Sequence, residues 1–179
     1  MRHVPILFVL TAFAPSALAQ TGAAFIPQSV RLPGANPLET AANQVWSLRA
    51  ALNVAALQCQ FSPFLRTVPR YNALIKQHAK ELTRVQAMLA GYFRRKGGPA
   101  AASALDRYNT RLYQSYTTLD AQLAFCDAAS IAGRDVLMQP IGRLNAIAPT
   151  EVTTVRAALT PVDVLPVSIK TVVASEFAG

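Results

Sequence analysis

The sequence of 179 residues contains two cysteines, Cys59 and Cys126, and their chemistry is the easiest to assign. Neither lies in a C-x-x-C motif, and His78 is the one histidine after residue 3. The usual partners of a cysteine in a metal or redox site are therefore missing. An isolated pair in an oxidising compartment is typical of a structural disulfide. The sequence predicts a Cys59–Cys126 disulfide, if the fold brings the two residues together, and no metal or other cofactor.

A search for catalytic groups is mostly negative. The nine carboxylates are scattered and form no E-x-x-H or paired-acid pattern. The sequence also lacks a nucleophile elbow, a phosphate-binding loop and a dinucleotide fingerprint. His78 lies among apolar residues at helical spacing, which is typical of a core histidine with one hydrogen-bond partner; a proton-transfer or metal-binding role is the alternative. We predict a protein that is not an enzyme, although a site assembled from distant residues would leave no local motif.

Basic residues are concentrated in one segment of the chain. The whole sequence has 17 Lys and Arg and 9 Asp and Glu, a net charge of +8. Residues 66–96 contain eight of the basic residues and one acidic residue. One part of this segment repeats a cation at every fourth position, and its end has three consecutive cations. The candidate residues for binding an anion or a partner are Lys76, Lys80, Arg84, Arg94, Arg95 and Lys96.

Two interpretations of this basic segment remain open. A soluble helix needs a charged face, and cations near a helix C-terminus are favoured by the macrodipole. Alternatively, the face binds an anionic component of the cell envelope or an acidic protein. Nucleic acid is not expected as a partner, because it is mostly absent from the compartment that the N-terminal residues predict.

Helical periodicity must position these residues. The first helix is predicted to begin with a capping box of Asn36 and Glu39 and to end near Cys59. A second helix is predicted over residues 67–97 and a third over about residues 103–133. Each has an apolar stripe at three- and four-residue spacing. The buried positions predicted for the second helix are Tyr71, Ile75, His78, Leu82, Val85, Leu89 and Tyr92.

Short loops between these helices predict an all-α fold, an antiparallel up-down-up bundle of three long helices. In such a bundle the first and third helices are parallel. The second helix is about 30 residues long, so the third returns to the level of Cys59 about 30 residues after residue 97. Cys126 lies at that point of the sequence. The predicted topology therefore supports the disulfide.

The first residues resemble a secretory signal peptide. Arg2 is followed by an apolar run over residues 4–14 and by an A-x-A site at Ala17-Leu18-Ala19. We expect cleavage after Ala19 and export to the periplasm, with an extracellular or surface-associated location as a further option. The apolar run is too short to span a bilayer, so a retained anchor is the less favoured hypothesis. No later segment predicts a transmembrane helix.

The predicted organisation has four parts. These are the signal peptide at 1–19, an irregular lead-in at 20–37, the helical bundle at 38–137 and a Pro-, Val- and Thr-rich extension at 138–179. Within the extension, a short helix is predicted from Thr150 to Leu159, with Thr150 as its cap. The rest of the extension is either a loosely docked terminus or a strand that adds to the sheet of a partner.

One short motif carries a resemblance to a known family. The stretch Leu82-Thr83-Arg84-Val85-Gln86 matches the L-T-x-x-Q pattern and resembles the periplasmic stress chaperones of the Spy and CpxP type, which are also small, basic and helical. In that family the motif recurs and its Thr tends to begin a helix, whereas here it occurs once, inside a predicted helix. The segment 48–61 (LRAALNVAALQCQF) and the pair Phe125-Cys126 are similar to uncharacterised exported proteins of alphaproteobacteria, which implies no activity.

We therefore expect an exported, non-enzymatic helical protein of the cell envelope, with a binding or structural role through the basic face of the second helix. The alternative, implied by the resemblance, is a periplasmic holdase-like chaperone or stress protein. An enzyme without a local motif ranks third. A holdase would suppress the aggregation of an unrelated unfolding protein at a near-equal ratio. A structural component would instead co-purify with one defined envelope complex.

Overall fold

A computed structural model describes residues 28–117 and 121–160, and in these ranges the protein is helical without a strand. The predicted all-α class is confirmed. The predicted signal peptide, residues 20–27 of the lead-in and residues 161–179 lie outside the described residues. The six α-helices are α1 (Pro37–Gln58), α2 (Thr67–Gln77), α3 (Ala79–Gly97), α4 (Ala101–Gln114), α5 (Gln122–Leu137) and α6 (Leu144–Ala157).

Helix α1 begins with the capping box that the sequence predicts. The side chain of Asn36 accepts a hydrogen bond from the backbone N–H of Glu39, and the carboxylate of Glu39 accepts one from the backbone N–H of Asn36, both at 2.9 Å. Pro37 occupies the first turn, where its missing N–H costs no hydrogen bond. Two of the unpaired donors at the helix end are thereby satisfied.

Helix α1 is the centre of the fold and contacts all five other helices. The predicted stripe of Val45, Leu48, Leu52 and Ala55 is buried. The remaining faces are buried too, because small side chains let neighbouring helices approach closely. The buried alanines of this helix are Ala42, Ala50, Ala51, Ala55 and Ala56. A helix that is buried over most of its surface is typical of a central position rather than of one side of a three-helix bundle.

The predicted second helix is divided at His78 into α2 and α3. The backbone of His78 leaves helical geometry, at φ −106° and ψ 19°. Hydrogen bonds from His78 N to Leu74 O and from Leu82 N to His78 O still connect the two helices. Helix α2 turns Leu74, which is 2% exposed, toward the core in place of the predicted Ile75, which is 37% exposed.

The predicted third helix is also two helices, and the break begins after Gln114. Ser115, Tyr116 and Thr117 are weak helix formers. Tyr116 is fully buried, and its hydroxyl shares a 2.6 Å hydrogen bond with the hydroxyl of Ser47 in α1. Burial of this aromatic ring, together with low local helix propensity, stops α4 here.

Helix α4 runs parallel to α1, as the up-down-up topology requires. Tyr108 donates a hydrogen bond to Asn43, and one turn later Arg49 donates one to Tyr113. Later residues of α4 therefore meet later residues of α1. Helix α4 thus follows the direction of α1 as far as the break at residues 115–121.

Helix α5 reverses this direction, so the three-helix bundle is wrong in its last element. Cys126, in the second turn of α5, is bonded to Cys59, which directly follows α1; their Cα atoms are 5.6 Å apart. Gly133, seven residues later, lies against Leu52, seven residues earlier than Cys59. Helices α1 and α5 are therefore antiparallel. The two cysteines lie at disulfide distance, as the sequence predicts, but a chain reversal brings them together.

The short helix predicted from Thr150 to Leu159 is present but begins earlier, since α6 spans Leu144–Ala157, and the extension is therefore not irregular at residues 144–149. This helix packs against α1 and α5. It begins at Leu144 rather than at Thr150, and Thr150 does not cap it. Its N-terminal end is satisfied from elsewhere in the chain: the carboxylate of Glu81 in α3 accepts hydrogen bonds from the N–H groups of Gly142 and Leu144, both at 3.0 Å. A helix capped by a residue 63 positions away leaves no local signal for its start.

Candidate anion-binding surface

Three of the predicted binding residues form an exposed row, which we call the basic stripe: Lys76 on α2, and Lys80 and Arg84 on α3. Four-residue spacing places Lys80 and Arg84 on the same face of α3, and Lys76 lies on α2, across the break at His78. Within the described residues, none of the three makes an ion pair or a side-chain hydrogen bond. Arg94 is also exposed and equally without a partner there. These four cations are free to contact a ligand.

Arg95, by contrast, already has a partner. Its guanidinium Nη2 contacts both carboxylate oxygens of Glu39, which is buried. It also lies 5.5 Å from the ring centre of Tyr92. The hydrogen bond from Arg95, followed by that from the backbone of Asn36, holds the pKa of the Glu39 carboxyl below its usual range. Arg95 therefore stabilises the start of α1.

Lys96 lies against the turn that precedes α1. A Cβ atom at Gly34, where φ is +65°, would come within 2.9 Å of the Lys96 ammonium nitrogen. The charge of Lys96 also contributes to the lowered pKa of Glu39. Two of the six predicted binding residues thus have structural roles.

Replacing Glu39 with Gln is expected to destabilise the protein in a pH-dependent way. A lowered pKa in the folded state means that the carboxylate adds stability above the pKa that it has when unfolded. That contribution is lost as the pH falls through the folded-state pKa. Urea denaturation at a series of pH values should therefore show the largest difference between wild type and Glu39→Gln near pH 7, and none in strong acid. A difference that stayed constant across the series would contradict an ionic role for Glu39.

A cavity that the sequence does not predict lies between α2 and α5, with a volume of about 370 Å³. Arg66, Arg70 and Arg134 contribute to its lining, and we call it the arginine cavity. Its other lining residues are Pro69, Ala73, Leu137 and Met138.

Arg70 is the best-anchored of the three arginines. Its Nη1 donates to the backbone oxygens of Leu65 and Ser130 and to the Ser130 hydroxyl. Burial lowers the pKa of Arg70, and the positive charges of Arg66 and Arg134 lower it further, while Asp135 acts in the opposite direction. All three arginines line the same cavity, and their charges repel one another.

Arg66 has an unusual backbone conformation, at φ 51° and ψ 30°. It is the one non-glycine residue with a positive φ in the described part of the chain. The left-handed region costs an ordinary residue about 1 kcal/mol or more. Arg66 precedes the first residue of α2 and directs the chain from the 3₁₀ turn at Pro63–Leu65 into that helix.

The arginine cavity was missed because its residues are far apart in the sequence. Arg66 and Arg70 belong to the basic segment, but their spacing does not separate them from its other cations. Arg134 comes from α5, and it meets α2 because these two helices run in parallel: Arg70 bonds to Ser130, and Gln77 bonds to the backbone oxygen of Leu137. No local sequence pattern predicts that α2 and α5 pack in parallel.

His78 is fully buried at the junction of α2 and α3. Its Nδ1 lies 3.4 Å from a carboxylate oxygen of Glu81, and its Nε2 has no hydrogen-bond partner. This fits the prediction of a core histidine with one polar neighbour. Within the described ranges, no group of three or more His, Cys, Asp or Glu is placed to hold a metal ion.

The L-T-x-x-Q motif lies in the first two turns of α3. Leu82 is buried, and Thr83 is exposed and donates to the backbone oxygen of Ala79. Thr83 therefore does not cap the helix. None of the helices in the described ranges has the length and apolar character needed to cross a membrane. Comparison of the chain with family models, with characterised proteins and with solved structures gave no match.

Proposed function

We propose that this protein is exported and binds an anionic component of the cell envelope through the basic stripe, without catalysing a reaction. The observation that carries this proposal is the exposure of Lys76, Lys80 and Arg84 without a partner in the described residues. Cations that are not neutralised within the molecule keep their full attraction for an outside anion.

The absence of acidic residues along this surface supports the proposal. Helices α2 and α3 contain one carboxylate, that of Glu81. It is buried, and it binds the start of α6 and His78 instead of the basic stripe. A face that serves only for solubility normally mixes positive and negative side chains. A one-signed face is better explained by attraction of an anion.

Charge reversal of the basic stripe tests this function. The triple variant Lys76→Glu, Lys80→Glu and Arg84→Glu should elute from an anionic glycan column in the flow-through, whereas the wild type should require salt for elution. Salt elutes the wild type because it screens exposed charges, with a Debye length of about 10 Å at 0.1 M. All three side chains are exposed, so the fold should be retained, which circular dichroism would verify.

A matched control keeps the same net charge. Arg107, Arg111 and Arg143 are exposed and lie outside α2 and α3. Their reversal to Glu changes the charge equally and should leave most of the retention intact. If both triple variants elute together, net charge rather than the basic stripe governs binding, and the proposal fails.

The second candidate function is that of a holdase, and a separate surface favours it. Leu57, Phe61 and Phe64, near the disulfide, are 68%, 54% and 93% exposed. Exposed apolar side chains of this size are the kind of surface that unfolded chains bind. A holdase acting through them would suppress aggregation equally well in the wild type and in the variant with the reversed basic stripe. An envelope-binding protein would show no suppression in either.

A further inference from the structure

The arginine cavity has more positive charge than its surroundings neutralise. Arg66, Arg70 and Arg134 contribute three positive charges to it. Two carboxylates act on these arginines: Asp135, which accepts a 2.8 Å hydrogen bond from Nε of Arg134, and Glu151. The three arginines outnumber them. The cavity therefore attracts an anion, and a dianion more strongly than a monoanion.

The donors in the arginine cavity are also only partly used. Arg70 forms hydrogen bonds through Nη1 alone, which leaves its Nε–H and both N–H groups of Nη2 without a partner in the described residues. Arg134 uses Nε alone, and Arg66 uses none of its guanidinium N–H groups. Guanidinium groups bind phosphate and carboxylate oxygens in pairs of parallel hydrogen bonds. Three of them around one cavity fit an anion with three terminal oxygens.

The rest of the lining of the arginine cavity is apolar. Leu137 and Met138, at the end of α5, and Pro69 and Ala73, on α2, contribute to it. Met138 is 66% exposed, and methionine adapts its shape readily to an apolar partner. The volume of about 370 Å³ lies within the range of small-ligand sites and exceeds what an inorganic anion needs. An alkyl group attached to the anion would contact these apolar residues.

We propose that the arginine cavity binds a phosphate monoester that carries an alkyl chain. The phosphate lies among Arg66, Arg70 and Arg134, and the first carbons of the chain lie on Leu137 and Met138. This assignment goes beyond the proposed function, because none of the three arginines belongs to the basic stripe. The left-handed backbone at Arg66 fits this role, since strained residues concentrate at ligand sites.

Calorimetric titration of the full chain with three soluble probes tests the ligand class. At pH 8, octyl phosphate should bind at least tenfold more tightly than inorganic phosphate, which lacks the chain, or octyl sulfate, which has one negative charge. The second pKa of a phosphate ester is about 6, so the affinity for octyl phosphate should fall between pH 8 and pH 5 while that for octyl sulfate stays constant. Equal binding of octyl phosphate and inorganic phosphate would show a free-anion site and overturn the proposal.

Four variants locate the binding. Arg134→Gln and Arg66→Gly should each weaken octyl phosphate binding about tenfold, the effect of losing a charge-assisted hydrogen-bond pair. Both variants should fold, because Arg134 is exposed and glycine tolerates the positive φ of position 66. Arg107→Gln, at an exposed position of α4, is the control and should bind like the wild type. Lys80→Gln tests whether the basic stripe holds this anion instead.

The outcomes separate this proposal from the proposed function. Unchanged binding in Arg134→Gln and Arg66→Gly overturns the arginine cavity as the site. If Lys80→Gln loses as much affinity for octyl phosphate as the two arginine variants do, the anion binds at the basic stripe. That result overturns the cavity assignment and leaves the proposed function intact. If the column experiment fails while octyl phosphate still binds and both arginine variants weaken it, the cavity assignment stands alone.

Discussion

Replacing both Cys59 and Cys126 with alanine is expected to lower the free energy of unfolding by about 4 kcal/mol. The disulfide links residues that are 67 positions apart, so it removes much of the conformational entropy of the unfolded chain. Since domains are typically stable by about 5–15 kcal/mol, the loss would bring this one close to its limit. Urea denaturation of the oxidised wild type and of the double variant measures the difference.

Reduction provides the control for this prediction. A phosphine reductant should lower the denaturation midpoint of the wild type to near that of the double variant, and it should leave the double variant unchanged. Cysteine and alanine are both small and apolar, so packing losses at these buried positions should be minor. A wild-type midpoint that is the same with and without reductant would contradict the predicted stabilisation.

Replacing Glu81 with alanine is expected to cost about 3 kcal/mol, the range of a lost hydrogen bond to a buried charged group. The carboxylate accepts from the backbone N–H groups of Gly142 and Leu144 and lies 3.4 Å from His78 Nδ1. Removing it leaves these donors unpaired in a buried site. A negative charge near the N-terminus stabilises a helix, and the substitution removes that charge from α6.

Hydrogen exchange distinguishes this mechanism from a general loss of stability. In Glu81→Ala, the amides of α6 should lose protection before those of α1 and α4, because α6 depends on Glu81 for its start. Glu81→Gln keeps one acceptor oxygen and should lose about half as much stability as Glu81→Ala. Asp106→Asn, at an exposed position of α4, is the control and should change little. Equal loss of protection in all helices would be evidence against a local role.

The sequence predicts the parts of the fold that depend on neighbouring residues. The capping box of Asn36 and Glu39 and the breaks near Pro63 and Pro99 are local, and all occur as predicted. The reversal after α4 and the start of α6 are not local. Each depends on a buried side chain that meets a distant residue: Tyr116 with Ser47, and Glu81 with Leu144. His78 and Glu81 are three positions apart, but no glycine or proline marks the division between α2 and α3 in the sequence.

The candidate site follows the same division. The basic stripe is predictable, because four-residue spacing on a helix fixes which side chains share a face. The structural roles of Arg95 and Lys96 are not, since their partners Glu39 and Gly34 lie more than fifty positions away. The arginine cavity depends on the parallel packing of α2 against α5, and the periodicity of the sequence does not predict which helices pack together. Sequence reasoning thus found the cations that face solvent and missed those that line a cavity.

The disulfide has a mechanical consequence for any process that pulls this chain by its ends. Residues between Cys59 and Cys126 form a closed loop that contains α2, α3 and α4. Tension applied to the termini passes across the sulfur atoms and bypasses that loop. At about 3.4 Å per extended residue, the oxidised chain keeps roughly 230 Å of its contour length out of reach of the force. A pulling machine would therefore unravel α1, α5 and α6 and meet a covalent stop, with the basic stripe inside the protected loop.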